Sequence, residues 1–255
     1  MKNKNYKISI IVATFNNEKT IDKNIESILL QTFTDYEIII IDGNSRDKTL
    51  EKIKKYNSKK INIYEQAGTG VYNAFNEGIQ FAKNDIIVIL NADDYFDNEN
   101  SLKLISEIFS KDKNLKLVMS NIKIVNEKDK VIRIYKNNSF YNFMFYFGMM
   151  PPHTGIFVKK EVYTNFGYFR EDFKNAGDFE FLLRILAKNK IKFKKINNFL
   201  IKMKYGGRSN KNFTSFFVNT IEIKKALKIN NFFSSYFLII LRFIFKILQF
   251  RSINL

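Results

Sequence analysis

Residues 8–18 read ISIIVATFNNE, a β-branched apolar run that passes directly into polar residues. Two later runs have the same character: residues 36–41 read YEIIII and residues 86–90 read IIVIL. None of the three alternates apolar with polar residues, which indicates strands buried on both faces. Residues 20–31 and 71–81, which lie between them, have helical periodicity. This order predicts an α/β fold, with a mostly parallel central sheet flanked by helices.

The composition describes a chain with enough apolar residues to form a full core. It has 255 residues, of which 45% are hydrophobic, and it contains no cysteine. The lack of cysteine excludes a disulfide scaffold, a thiolate metal site and a cysteine nucleophile, and it fits a reducing compartment. Residues 1–7 are polar and no secretory signal pattern follows them, so we expect a cytoplasmic protein.

The formal charge of +17 predicts a polyanionic partner. Nucleic acid, anionic lipid and a phosphorylated substrate all have the required charge, although lysines spread over a solvated surface would give the same total. The chain has no recognised nucleic-acid-binding motif, and its phenylalanines lie mostly inside apolar runs instead of between arginines. We therefore expect no nucleic-acid partner.

Polar residues follow three of the predicted strands. They are residues 14–18 (TFNNE), 42–47 (DGNSRD) and 91–94 (NADD). Taken singly, each fits ordinary turn and helix-capping chemistry. Ligands of such sheets bind beyond the carboxyl ends of the strands, where carboxylates from two neighbouring ends would meet. The pattern therefore favours a ligand site at this edge.

The second half of the chain is less regular. Residues 117–124 and 131–135 have the pattern of a hairpin, and residues 179–188 that of a helix with one apolar face. No repeat or linker interrupts residues 1–215, which we predict to form one domain. Residues 216–255 are predicted to form C-terminal helices.

The C-terminal segment 231–250 is rich in Phe, Leu and Ile. At about 100° per residue, its polar side chains fall on one narrow stripe, which Lys228 extends: Asn231, Ser235, Arg242, Lys246 and Gln249. Two cations argue against a membrane-spanning helix, and the broad apolar side predicts an amphipathic helix that lies on an anionic membrane. The alternatives are a helix packed on the globular domain or on a second copy of the chain, as in a homo-oligomer.

Several of these segments, in this order, resemble family 2 of the glycosyltransferases, which have the GT-A fold. The matching blocks in the first half are residues 8–17, 27–33, 36–49, 70–79 and 89–94. Beyond residue 150 the matching blocks are shorter: PHTGIF at 152–157, FGYF at 166–169, AGDFE at 176–180 and GGRS at 206–209. The resemblance covers residues 8–209, roughly, and excludes the C-terminal segment.

The resemblance implies a nucleotide-sugar-binding half over residues 1–125 and an acceptor-binding half over residues 126–215. It also implies an inverting transferase for which we expect a UDP-sugar donor and a glycan or lipid-linked acceptor. Such enzymes build cell-surface polysaccharide. We expect this protein to lie peripherally on the inner face of the cell membrane. The alternative is a non-catalytic member of the fold that binds a sugar nucleotide.

Asp93 and Asp94 stand at the family's DXD-type metal motif. The resemblance implies that one of the two carboxylates reaches a Mn²⁺ or Mg²⁺ ion and that the other reaches the ribose or a metal-bound water. Carboxylate oxygens suit such cations, and a cation bridging the diphosphate would neutralise the leaving group. Asn91 takes the place of the first acid in a common version of the motif. Asp42 stands where the family contacts the nucleotide base, and Gly43 replaces the second acid that many relatives have there.

Further residues of the predicted site come from the same comparison. Thr14, Asn16 and Glu18 line the end of the first strand and are expected to contact the nucleotide sugar, although Glu18 could equally cap the following helix. His153 and Arg208 are expected in the cleft, with Arg208 closing over the diphosphate, although a structural histidine and a solvated loop arginine are the alternatives.

Asp178 occupies the position of the family's catalytic Asp, where a base must take the proton of the acceptor hydroxyl. Because it precedes an apolar helix, Asp178 could instead be an N-terminal helix cap.

Overall fold

The computed structural model describes residues 5–206 and 213–242. Its strands are β1 (Ile8–Thr14), β2 (Tyr36–Asp42), β3 (Ile61–Glu65), β4 (Ile86–Ile89), β5 (Tyr95–Phe96), β6 (Leu117–Val125), β7 (Val131–Tyr135), β8 (Ile156–Lys159) and β9 (Phe193–Lys204). Its helices are α1 (Ile21–Leu29), α2 (Thr49–Lys55), α3 (Val71–Phe81), α4 (Ser101–Lys111), α5 (Lys160–Phe166), α6 (Gly177–Leu182) and α7 (Phe213–Ile229). A π-helical turn, Leu183–Lys188, continues α6.

These strands form one mixed sheet in the order β3-β2-β1-β4-β8-β6-β9-β5, and β7 pairs with β6. The first four of this order run parallel to one another. β8 is antiparallel to both of its neighbours, β4 and β6. The sheet confirms the predicted fold class, and the hairpin of β6 and β7 lies where the sequence predicts it.

Both faces of the sheet are covered, as the unbroken apolar strands require. Ile11 and Ile39 belong to the apolar cluster that includes residues of α3, α6 and α7. Their neighbours in sequence, Ile10 and Ile38, belong to the cluster that includes residues of α1 and α4. Successive side chains of a strand point to opposite faces, so a run of isoleucines contributes to both clusters.

Gly78 lets α3 approach β1 closely. A Cβ at this position would lie 2.4 Å from Cγ2 of Ile11, which is too close for any side chain. The contact fixes α3 over the strand whose end carries Thr14.

The C-terminal segment departs from the single amphipathic helix that we predicted. α7 ends at Ile229, Asn231 has a φ of 64°, and helical turns resume only over residues 236–242. Asn231 and Ser235 therefore lie outside a common helical face with Arg242, which is itself buried. Lys246 and Gln249 lie outside the described residues. None of the described helices combines the length and apolar character that crossing a membrane requires.

Candidate active site

The ends of β1 and β2 meet side by side, with Thr14 opposite Asp42 in the strand register. Asp42 is buried, and its carboxylate accepts hydrogen bonds from the backbone N–H (2.9 Å) and the hydroxyl (2.6 Å) of Ser45. These bonds fix the turn after β2. A Cβ at Gly43 would lie 3.2 Å from the Gln66 side chain and 3.5 Å from Phe15, so only a small residue fits beside Asp42.

Asn16 and Glu18 tie the loop after β1 to the loop after β2. Asn16 donates its backbone N–H to the Ser45 hydroxyl at 2.9 Å, and its side-chain oxygen accepts the Arg46 N–H at 2.8 Å. The carboxylate of Glu18 accepts the N–H of Lys48 at 3.1 Å, directly before α2. Glu18 therefore does not cap α1, the helix for which we considered that role. Contact of Thr14, Asn16, Glu18 and Asp42 with a nucleotide sugar stays a prediction.

The turn after β4 contains Asn91, Asp93 and Asp94. Asp94 is buried, and both of its carboxylate oxygens are engaged. One oxygen accepts the N–H of Lys204 at 3.1 Å, and the other accepts the Asn91 amide at 3.0 Å. Burial, and next the neighbouring charge of Asp93, raise the pKa of Asp94 to about 8. Asp94 thus braces the turn against the end of β9, while Asp93 is only half-buried.

The carboxylates of Asp93 and Asp94 are the candidate ligands for a divalent cation. Among residues 5–206 and 213–242, no three His, Asp or Glu side chains are arranged to hold a metal ion. Both oxygens of Asp94 accept hydrogen bonds within the protein. A single carboxylate is sufficient for Mg²⁺ when the phosphates of a substrate supply further oxygens. Metal binding by Asp93 and Asp94 stays a prediction.

His153 joins this turn to Asp178. Its Nδ1 lies 3.2 Å from a carboxylate oxygen of Asp178, and its Nε2 lies 3.3 Å from the amide nitrogen of Asn91. In the neutral ring, with the Asn91 amide as donor, Nε2 accepts this hydrogen bond and Nδ1–H donates a hydrogen bond to Asp178. Burial lowers the pKa of His153, but the hydrogen bond and charge of Asp178, together with Asp94 and Asp93, outweigh it and raise the pKa.

Asp178 is the second residue of α6, and the N-cap position is Ala176. The alternative of Asp178 as a helix cap is therefore wrong. Its other oxygen accepts the hydroxyl of Tyr72 at 3.2 Å and the N–H of Phe179 at 2.8 Å. Burial, and then the charge of Asp178, raise the pKa of Tyr72, which keeps its hydroxyl protonated as a donor. Its role as the base stays a prediction.

The surroundings of Asp178 are apolar and closely packed. A cavity beneath His153 and Asp178 is lined by Ile89, Ile156, Val158, Tyr163, Phe169, Phe181 and Leu182. Such walls exclude water and strengthen the charge interactions at their edge. A Cβ at Gly177 would lie 2.8 Å from the Tyr72 ring, so this glycine lets α6 pack directly on Tyr72.

Glu222 of α7 holds the loop that leads into α6, and no sequence pattern pointed to this role. Its buried carboxylate accepts three backbone N–H groups, from Lys174 at 2.7 Å and from Asn175 and Ala176 at 2.8 Å each. Asn230, which directly follows α7, donates to Glu180 of α6 at 3.0 Å. Glu222 and Asn230 therefore fix the segment that presents Asp178. Arg208 lies outside the described residues.

Comparison with known proteins identifies the family. The family model described as glycosyl transferase family 2 matches residues 9–177, more than half of the chain. The chain belongs to this family. The resemblance found in the sequence blocks is thereby confirmed, while α7 and the residues after it lie beyond the matched region.

Two curated relatives match over parts of their length. The chain is 45% identical over 94 residues to dolichyl N-acetyl-alpha-D-glucosaminyl phosphate 3-beta-D-2,3-diacetamido-2,3-dideoxy-beta-D-glucuronosyltransferase of Methanococcus voltae, which covers 34% of this chain and 29% of the relative. It is 29% identical over 188 residues to chondroitin synthase of Pasteurella multocida, covering 72% of this chain and 19% of the relative. The chain thus spans less than a third of the length of either relative.

Solved structures share the GT-A fold of this family 2 member. Staphylococcus aureus TarS, residues 1–349, in complex with UDP-GlcNAc has a TM-score of 0.68 at 19% identity, covering 87% of this chain and 66% of that one. The mannosyltransferase PcManGT of Pyrobaculum calidifontis, in complex with GDP-Man and Mn²⁺, has a TM-score of 0.65 at 15% identity, covering 88% of this chain and 64% of that one. At these identities the likeness is one of fold.

Proposed function

We propose that this family 2 glycosyltransferase moves a sugar, with inversion, from a nucleoside-diphosphate sugar to a hydroxyl of a glycan or lipid-linked acceptor in cell-surface polysaccharide synthesis. The observation that carries the proposal is the setting of Asp178. Its carboxylate is buried, is held through separate oxygens by Tyr72 and His153, and stands across His153 from the Asn91–Asp94 turn. A base held close to the turn that is proposed to bind the diphosphate suits a direct displacement.

The proposed reaction is a single displacement at the anomeric carbon of the donor sugar. The acceptor hydroxyl oxygen attacks the anomeric carbon on the side opposite the diphosphate, and Asp178 takes its proton as the new C–O bond forms. The bond to the diphosphate oxygen breaks and leaves its electron pair on that oxygen. Tyr72 and His153 each donate to one oxygen of Asp178, so they orient the carboxylate. One displacement inverts the anomeric configuration.

A divalent cation, Mn²⁺ or Mg²⁺, would neutralise the charge that develops on the departing diphosphate when bound. Asp93 is the residue that would hold it, supported by the hydrogen-bonded Asp94. The cation of the PcManGT complex supports this proposal by analogy of fold.

UDP is the proposed donor nucleotide, because TarS is described in complex with UDP-GlcNAc. A lipid-linked acceptor is supported by the name of the Methanococcus voltae relative, whose acceptor is a dolichyl phosphate sugar. Because Gly43 stands beside Asp42 in place of a second acid, the nucleotide base of the donor is not assigned. The test therefore compares several nucleotides.

Calorimetry on wild type and on Asp178→Asn tests the proposal, with UDP, GDP, TDP and CMP, each with and without Mn²⁺. We expect one diphosphate to bind both proteins equally, with Mn²⁺ required. Sugar transfer by Asp178→Asn should fall by about 10²–10⁴-fold, the usual contribution of a general base. The anomeric proton coupling of the product, measured by NMR, should show inversion.

Two results would argue against an enzyme with Asp178 as base. If wild type bound the nucleotide sugar but transferred nothing to any glycan or lipid-linked acceptor, a non-catalytic binding protein would be the better description. If Asp178→Asn retained wild-type transfer, another group would have to take the proton.

A further inference from the structure

The outward side of the C-terminal helices carries large apolar residues that are exposed. We call this side the outer C-terminal face and define it by Phe217 and Ile221 of α7 and by Phe233, Tyr236, Phe237 and Ile240 of the residues that follow it. Phe233 is 74% exposed and Phe237 is 71% exposed. Exposed aromatic side chains gathered in so short a segment are typical of a contact surface.

Several polar side chains of the same segment point inward. Thr220, Asn230 and Arg242 are all buried. Arg242 donates to the Thr220 hydroxyl at 2.9 Å, and burial lowers the pKa of Arg242 to about 10. A water-facing helix has the reverse arrangement, with its apolar residues inside and its charges outside. Arg242, a member of the predicted polar stripe, therefore points into the protein.

The charges that remain outside have one sign. In the described part of this segment the exposed or half-buried ions are Lys224, Lys225 and Lys228, and Glu222 is buried beneath them. The Nζ of Lys224 lies 3.7 Å from the centre of the Tyr236 ring. Lysines beside exposed aromatic rings complement a surface that is apolar below and anionic above.

We propose that the outer C-terminal face lies on an anionic lipid bilayer, with its aromatic side chains in the boundary between headgroups and acyl chains. A second copy of the chain fits this face less well. A two-fold axis would bring together two copies of one patch whose exposed charges are all positive. The inference does not depend on the role proposed for Asp178.

Vesicle co-sedimentation of the full chain tests the proposal, using phosphatidylcholine vesicles with and without phosphatidylglycerol. The Phe233→Ser, Phe237→Ser double variant should lower partitioning onto the anionic vesicles by about 100-fold, since each lost phenylalanine contact reduces affinity roughly tenfold. The Lys224→Gln, Lys228→Gln variant should lower it about 30-fold on anionic vesicles only, at about fivefold per lysine. Leu30→Ser is the matched control, because Leu30 is 64% exposed on the end of α1.

Circular dichroism and nucleotide binding confirm that each variant is folded. Binding by wild type and Leu30→Ser, lost in both C-terminal variants, supports the proposal. It is overturned if wild type does not bind anionic vesicles, or if the phenylalanine variant binds as wild type does. It is also overturned if Leu30→Ser loses binding equally. A concentration-dependent dimer without vesicle binding, abolished by the phenylalanine variant, would assign the face to a second copy and overturn it as well.

Discussion

Replacement of Glu222 should impair transfer although this residue touches no substrate. Its carboxylate accepts the N–H groups of residues 174, 175 and 176, which lead directly to Asp178. Two of these N–H groups share one carboxylate oxygen and the third binds the other. In Glu222→Gln, one oxygen becomes an NH₂ group, which cannot accept a hydrogen bond. The loop must then rearrange around at least one N–H that has no acceptor.

The magnitude follows from these bonds. A hydrogen bond to a charged group contributes about 1.5–3 kcal/mol, and an unsatisfied buried donor costs about 1–3 kcal/mol. With at least one bond lost and two weakened, we expect Glu222→Gln to lower the free energy of unfolding by about 2–4 kcal/mol. A base displaced by 1 Å can slow a reaction by about 10²-fold, so kcat should fall by about 10–100-fold. KM for the donor should change little, because the donor is proposed to bind at the other edge of the cleft.

The assay compares kcat, donor affinity and denaturant unfolding in three variants. Glu222→Asp should recover part of kcat, because it restores the charge one methylene short. Asp172→Asn is the control: Asp172 links the same loop to α7 through Lys225 at 2.8 Å but is 46% exposed, so its loss should cost less than about 1 kcal/mol and leave kcat unchanged. The reasoning is refuted if Glu222→Gln keeps a wild-type kcat, or if kcat falls only in proportion to the unfolded fraction.

Three further results are expected from residues described above. Gly78→Ala should destabilise the fold by about 1–3 kcal/mol in denaturant unfolding, because its Cβ would meet Ile11 at 2.4 Å, whereas Gln80→Ala on the exposed side of α3 should change little. The raised pKa of His153 means that the charged ring stabilises the fold below its ordinary pKa of 6.5, and that this contribution is lost as pH rises through the raised value. The difference in Tm between wild type and His153→Gln should therefore shrink from about pH 5 to pH 9, and a constant difference would contradict the ion pair with Asp178. Asp93→Ala should lower Mn²⁺-dependent nucleotide affinity by about tenfold or more, since it removes a carboxylate that is proposed to bind the metal. Asp94→Ala should chiefly lower stability, by about 2–4 kcal/mol, because Lys204 and Asn91 lose their acceptor; equal losses of nucleotide affinity in the two variants would refute this division.

The order of strands and helices could be predicted because buried parallel strands read as unbroken apolar runs. The residues after β1, β2 and β4 could be found for the same reason, since the ends of such strands are where polar residues gather. Which of Asp93 and Asp94 accepts the backbone N–H of Lys204 could not be predicted. Lys204 lies 110 positions away from Asp94 in the sequence.

Glu222 and the C-terminal helices could not be predicted for two different physical reasons. The partners of Glu222 are backbone N–H groups 46–48 positions away, and a backbone group leaves no mark in the sequence. The pattern of residues 231–250 indicated neither the break between Ile229 and Tyr236 nor the direction in which Arg242 points, because a helix with one polar stripe can pack either way round. The Arg242 guanidinium points inward because it donates a hydrogen bond to the buried Thr220 hydroxyl.

The support that Glu222 gives to the loop before Asp178 comes from beyond the region that the family model matches. Transplanting residues 9–182, which end with α6, into a hybrid enzyme would therefore carry over Asp178 but leave the loop before it without the Glu222 carboxylate. A hybrid of this kind should regain activity when its tail offers a buried carboxylate at the equivalent turn of the helix. We expect the outward residues of α7 to tolerate substitution during evolution. Glu222 should be retained, because the loop before Asp178 depends on its carboxylate.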